Sequence, residues 1–173
     1  MLFRSAAGGD EGGATEKVWT LVKSASEIAV GDQIIIAASG YNYAISTTQA
    51  SNNRGQAAIT KSGETLVTPG NTVQILTVKE GSTSGTFAFY ADSPSSTVGY
   101  LYCASTSSKN YLRTQTSVNA AASWTISIAS TGIATIKSQI SGISRNVLMY
   151  NNSSSCFACY SSGQRDVVIY KLK

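Results

Sequence analysis

From residue 17 onward, short apolar runs alternate with polar turn clusters. Over 17–22, Lys-Val-Trp-Thr-Leu-Val, positions 18, 20 and 22 face one way while Trp19 and Leu21 face the other. A period of two is that of a strand, since successive side chains point to opposite faces. After Gly31-Asp32 comes Gln-Ile-Ile-Ile-Ala-Ala over 33–38, an apolar run short enough for a fully buried strand. Further strand-like runs lie at 41–45, 72–78, 86–91, 100–104, 111–112, 124–128, 133–136, 147–150, 156–160 and 167–171. Gly-, Ser- and Asn-rich turns such as 80–85 and 161–163 separate them, giving about a dozen strands. One helical turn is expected, at 24–27, where Ser24 stands three residues before Glu27 in the spacing of a capping box. The pattern predicts an all-β fold.

Internal repetition refines that expectation. Gly40-Tyr-Asn-Tyr-Ala44 and Gly99-Tyr-Leu-Tyr-Cys103 share a Gly-Tyr-x-Tyr-small pattern, and Asn146-Val-Leu-Met-Tyr150 is a weaker third copy. Residues 17–173 then divide into three units of about 52, each too small to bury its own face, which is the mark of a β-trefoil-like arrangement with three degenerate units. The spacing between copies is uneven, and the first unit is expected to carry a long insert at 46–62. A β-sandwich or irregular β-barrel is the alternative.

Composition agrees with short strands and polar turns. Hydrophobic residues make up 42% of the 173-residue chain and charged residues 13%, which excludes a charge-rich disordered chain. Ser and Thr together are roughly a quarter of it, against two prolines. Residues 1–16 differ: Ser-Ala-Ala-Gly-Gly-Asp-Glu-Gly-Gly-Ala-Thr-Glu over 5–16 is small, acidic and without periodicity, and reads as a flexible spacer before a single all-β domain at 17–173. The four residues ahead of it are too few for the apolar stretch of a signal peptide, so any export signal is expected to be removed or absent. No apolar run approaches the ~18 residues of a transmembrane helix. The net charge is +4, and the part beyond residue 16, with twelve bases and six acids, carries about +6. Its bases are single and scattered, which reads as a soluble cationic surface; a groove for nucleic acid or an acidic polymer is the competing reading.

The chemistry the chain can support is narrow. Histidine is absent, which removes every mechanism that needs an imidazole as base, shuttle or metal ligand. Cys156 and Cys159 have metal-knuckle spacing, yet Cys103 is the one further thiol, and on a strand residues three apart point to opposite faces. Small buried hydrophobes are the simplest reading of all three, with one disulfide from Cys103 to either of the others as the alternative. Six carboxylates follow residue 16 (Glu27, Asp32, Glu64, Glu80, Asp92 and Asp166), and no local pair suggests a glycosidase. No Gly-x-Ser-x-Gly elbow occurs, and the glycine pairs at 8–9 and 12–13 lie outside any strand–loop–helix context. The expectation is no enzyme, no cofactor and no metal.

The aromatics carry what remains. Trp19, Trp124, Phe87, Phe89, Tyr102 and Tyr170 alternate within strands and are most simply core. Tyr41, Tyr43, Tyr111 and Tyr160 stand near turns rich in Asn, Ser and Arg, with Gln164 beside Arg165. The apolar face of a pyranose stacks on such rings while its hydroxyls pair with planar amides and guanidinium groups; the same trio could stack the bases of a single strand. The candidate ligand-binding residues are Tyr43, Arg54, Tyr111, Arg113, Tyr160 and Arg165.

The strings Gly-Tyr-Leu-Tyr-Cys-Ala (99–104), Asn-Tyr-Leu-Arg-Thr (110–114), Ser-Trp-Thr-Ile-Ser-Ile (123–128), Gly-Ile-Ala-Thr-Ile (132–136) and Val-Val-Ile-Tyr-Lys (167–171) resemble β-rich accessory modules of secreted and surface multidomain proteins of Bacteroidetes-type gut bacteria. The resemblance spans most of 17–173 and carries over no functional residue. It implies an exported, non-catalytic module, secreted or at the cell surface and joined to other domains of a larger parent. The expected function is binding of a glycan or polysaccharide through loop tyrosines with Asn and Arg. A structural or protein-interaction module, such as an adhesin or spacer, is the first alternative and a cationic nucleic-acid-binding accessory domain the second.

Overall fold

A computed structural model describes residues 17–173, and the spacer expected over 1–16 lies outside them. The described chain is all-β, with every strand pairing antiparallel. Its strands are β1 (Trp19–Leu21), β2 (Gln33–Ala38), β3 (Tyr43–Gln49), β4 (Arg54–Ala58), β5 (Lys61–Ser62), β6 (Thr65–Leu66), β7 (Leu76–Glu80) and β8 (Phe87–Ala91), followed by β9 (Gly99–Cys103), β10 (Leu112–Gln115), β11 (Trp124–Ile128), β12 (Ile133–Ser138), β13 (Val147–Asn151), β14 (Cys156–Tyr160) and β15 (Val167–Leu172). The expected helical turn is a 3-10 turn at Ala25–Glu27. Ser24 caps it and the Glu27 carboxylate accepts from the Ser24 backbone N–H, so both halves of the capping box form.

Six strands close a ring. β2 pairs β7, β7 pairs β8, β8 pairs β11, β11 pairs β12, β12 pairs β15, and β15 returns to β2. Between successive ring strands the chain makes three hairpins, β3–β4, β9–β10 and β13–β14. Each hairpin leaves the ring the same way, because its first strand pairs the preceding ring strand through Ala37 with Ala44, Tyr90 with Tyr100, and Lys137 with Val147. The next residues, Ile45, Leu101 and Leu148, are all buried in one core with the inward residues of the ring.

Burial explains why two strands read as unbroken apolar runs and others as alternating ones. In β11 and β12 one face turns inward, with Trp124, Ala134 and Ile136 buried, while Lys137 and Thr135 face water. β2 and β15 are covered on both faces: Ile34, Ile36, Val167 and Ile169 point into the ring, whereas Ile35, Ala37, Val168 and Tyr170 pack outward. The outer cover is a second core of Trp19, Leu66, Ile59 and Val73, from β1, β6 and segment 59–75. A strand buried on two sides must be apolar at every position.

Three expectations change in detail. The extra length of the first unit lies at 59–75 rather than 46–62, since 43–58 forms the hairpin β3–β4. The run at 72–78 becomes a strand only from Leu76, with Val73 making a lone bridge to Ser46. The Gly-Tyr-x-Tyr motifs are not equivalent: Gly40 turns the chain before β3, whereas Gly99 is the first residue of β9. What recurs is the buried apolar residue in the middle of each hairpin's first strand.

Candidate functional site

The three hairpins contact one another, and an aromatic cluster forms where the third meets the first. Tyr150, fully buried near the tip of β13–β14, packs under Tyr41 (ring centroids 5.4 Å apart, planes at 57°) and Tyr43 (6.2 Å, 30°) from the base of β3–β4. Phe157 supports it from below at 5.0 Å. Tyr150 donates its hydroxyl to Oε1 of Gln56 at 2.6 Å, with Oδ1 of Asn152 at 3.4 Å. Burial raises the Tyr150 pKa, so this hydroxyl stays a donor.

Tyr41 and Tyr43 are only half-buried, and the Arg165 guanidinium carbon stands 5.9 Å from the Tyr41 centroid. The backbones of Arg165 and Tyr150 exchange two hydrogen bonds, 3.0 and 2.9 Å, which tie the Arg165 turn to the cluster. The result is two partly open rings braced from beneath, with a cation and amide groups on the rim.

The other candidate residues divide. Arg113 lies over the Tyr111 ring at 5.2 Å and hydrogen-bonds through Nη2 to Oδ1 of Asn52, so these two residues form a second cluster. Tyr160 is buried (7% exposed), its hydroxyl accepts from Asn151 Nδ2 at 3.0 Å, and burial pushes its pKa up to about 12. Arg54 is completely buried, donating from Nη2 to the Ser46 carbonyl and to Gln74 Oε1, and burial lowers its pKa to about 10. Arg54 and Tyr160 are therefore corrected from ligand contacts to interior residues. An arginine in an Asn-Asn-Arg turn is normally solvated, but the register places Arg54 across from buried Phe157.

Tyr43 and Arg165 do come together, in a group whose centre, Tyr150 with Gln56, is not among the candidates the sequence offers. The legible signal for Tyr150 was its place in the weak third copy at 146–150. Gln56 had none, because its partner comes from a strand 94 positions away.

The three cysteines are buried and free. Among the described residues no group of three or more Cys, Asp or Glu side chains is arranged to hold a metal ion, and no helix is long and apolar enough to cross a membrane. A cleft of about 410 Å³ between Val30 and loop 80–87 shares no residue with either aromatic cluster.

No protein-family model matches the sequence, and no curated protein does. Among solved structures, the chain is similar to one described as the crystal structure of lysenin pore, with a TM-score of 0.52 and 14% identity over 84% of this chain. The match covers 49% of that chain, so this protein spans about half the length of that structure. At that identity the likeness is one of β-rich fold.

Proposed function

We propose that this chain is a non-catalytic, extracellular glycan-binding module on a β-trefoil scaffold, an accessory unit of a larger exported protein. Support for the trefoil comes from the closed six-strand ring interrupted by three equivalent hairpins. The observation that carries the binding role is the pair of half-open rings, Tyr41 and Tyr43, held by buried Tyr150 beside Arg165 and Gln56. A sugar ring stacks on such a face with little loss of conformational entropy on the protein side, because the rings are already fixed. A lone site of this size is weak, and linkage to further modules would raise it.

The absence of histidine and the tying of Glu27, Asp32 and Glu64 to Lys173, Lys171 and Lys23 support a binding rather than a converting role. Affinity electrophoresis through gels containing different polysaccharides, beside a single-stranded DNA control, tests the reading. Retardation by at least one polysaccharide that survives moderate salt and vanishes in Tyr43→Ala is the expected result. Retention by DNA alone would support the nucleic-acid reading, and no retention by either would leave a structural or protein-interaction module.

A further inference from the structure

All three ion pairs among the described residues, Lys23–Glu64, Lys171–Asp32 and Lys173–Glu27, join the two ends of the described chain to its first unit. Around the tip of the second hairpin the cations Lys109, Arg113 and Arg145 form no ion pair with any described carboxylate.

Asparagines hold the two guanidinium groups. Arg145 donates from Nη1 to Oδ1 of Asn110 at 2.9 Å and from Nε to the Ser107 carbonyl at 3.1 Å, and Arg113 donates from Nη2 to Oδ1 of Asn52. With its amide nitrogen facing them, Asn53 bridges the two arms by donating to the carbonyls of Asn52 and Asn110, each at 2.8 Å. The chain Arg113–Asn52–Asn53–Asn110–Arg145 thus spans three units. Nη1 of Arg113 and Nη2 of Arg145 make no hydrogen bond to the described residues, and exposed Lys109 adjoins Asn110. A guanidinium positioned by neutral amides keeps its full charge for a ligand, and its planar fork matches an oxyanion with two acceptors.

We infer that this arc is a second site, which binds the anionic substituents, sulfate or carboxylate, of an acidic glycan. The inference rests on the glycan reading for its choice of a sugar chain. The geometry favours a compact anionic substituent over a nucleic-acid backbone, because the cations form a short arc from β10 and its preceding turn to the loop before β13 rather than a stripe that tracks successive phosphates.

The test is titration of the full chain with heparin, desulfated heparin, a polyuronate, an uncharged polysaccharide and a single-stranded DNA oligonucleotide. Heparin or the polyuronate should bind at least ten-fold more tightly than the uncharged polysaccharide. Arg113→Gln with Arg145→Gln should weaken that binding at least ten-fold and leave binding of the uncharged polysaccharide unchanged. Lys109→Gln, at an exposed position, should weaken it by a smaller factor without touching the fold. Lys137→Gln, an exposed cation on β12, should have no effect.

Equal binding of charged and uncharged glycans, an equal effect of Lys137→Gln, or DNA binding as tight as the acidic glycan would each overturn the inference. Loss of binding to every glycan, the uncharged one included, would instead sink the reading of the protein as a glycan binder. Comparing heparin with its desulfated form and with the polyuronate separates sulfate from carboxylate as the source of the charge.

Discussion

Arg54 shows how far a residue's environment can depart from its type. Two positions before Gln56, Thr114 and Cys159, which face Ile45, Leu101 and Leu148, stand Arg54, Leu112 and Phe157, all fully buried. One arginine therefore fills a place that two apolar side chains fill in the other units. Its Nη2 is satisfied, but Nε and Nη1 have no partner among the described residues. A buried charge that is only partly paired costs free energy, and an apolar replacement of similar length is often neutral or stabilising. Arg54→Met should accordingly leave stability unchanged or raise it by about 1–2 kcal/mol, whereas Arg54→Ala, which opens a void, should lower it by about 2–4 kcal/mol; urea denaturation distinguishes them. Tyr160 makes the complementary case through pH. Its pKa rises from 10.0 in an unconstrained chain to about 12 in the fold. The stability this contributes is complete below pH 10 and disappears as pH climbs through 12, a loss on the order of 2 kcal/mol. Denaturation series at pH 9 to 12 should show that decline, and Tyr160→Phe should flatten it while costing about 1 kcal/mol at neutral pH through the lost bond to Asn151.

At the level of elements, Gly99 and Gly40 look alike in the sequence yet do different work. Gly99 opens β9 at φ +136, and a Cβ there would lie 2.5 Å from the Gln115 carbonyl oxygen on the paired strand β10. Gly40 turns at φ +72 with open space around it. Gly99→Ala should cost about 3 kcal/mol, from strained backbone and a clash that only strand separation relieves; Gly40→Ala should cost about 1 kcal/mol, the left-handed penalty alone. Melting temperatures of the two variants would rank them, and equal losses would mean that β9 can shift away from β10. The same contrast explains what was legible in the sequence. The apolar run at 33–38 and the alternation at 124–128 announced β2 and β11, since their burial is written in their own residues. β4, Arg-Gly-Gln-Ala-Ala, has neither pattern and no β-branched residue; it is a strand because β3 and β14 pair with it from either side. Of the candidate site, Tyr43 and Arg165 could be named from ring and turn position, but their meeting with Tyr150 depends on which hairpin tip reaches which base.

The molecule as a whole is closed by its latest strand. β15 pairs with β2, β12 and β1, so residues near the end of the chain complete both the ring and the outer layer that covers it. Repetition in the sequence pointed to three units, but not to this closure, which is a property of long-range pairing rather than of any local segment. Bringing Val167 to Ala38 requires ordering almost everything between them, a loop-closure cost that must be met before the contacts stabilise anything. Protection should follow the same geography. β2 and β15 are sealed on both faces and joined over five successive residue pairs, so their amides can exchange only when the whole ring opens. β5 and β6 pair over just two residues, with Lys61 and Thr65 partly exposed and Ser62 fully so. Hydrogen exchange in rising denaturant should place β2 and β15 on the global unfolding isotherm and β5–β6 well below it. Early exchange of β15 would mean that the ring opens at its final seam while the other strands stay paired, and that the third unit is held less tightly than its burial requires.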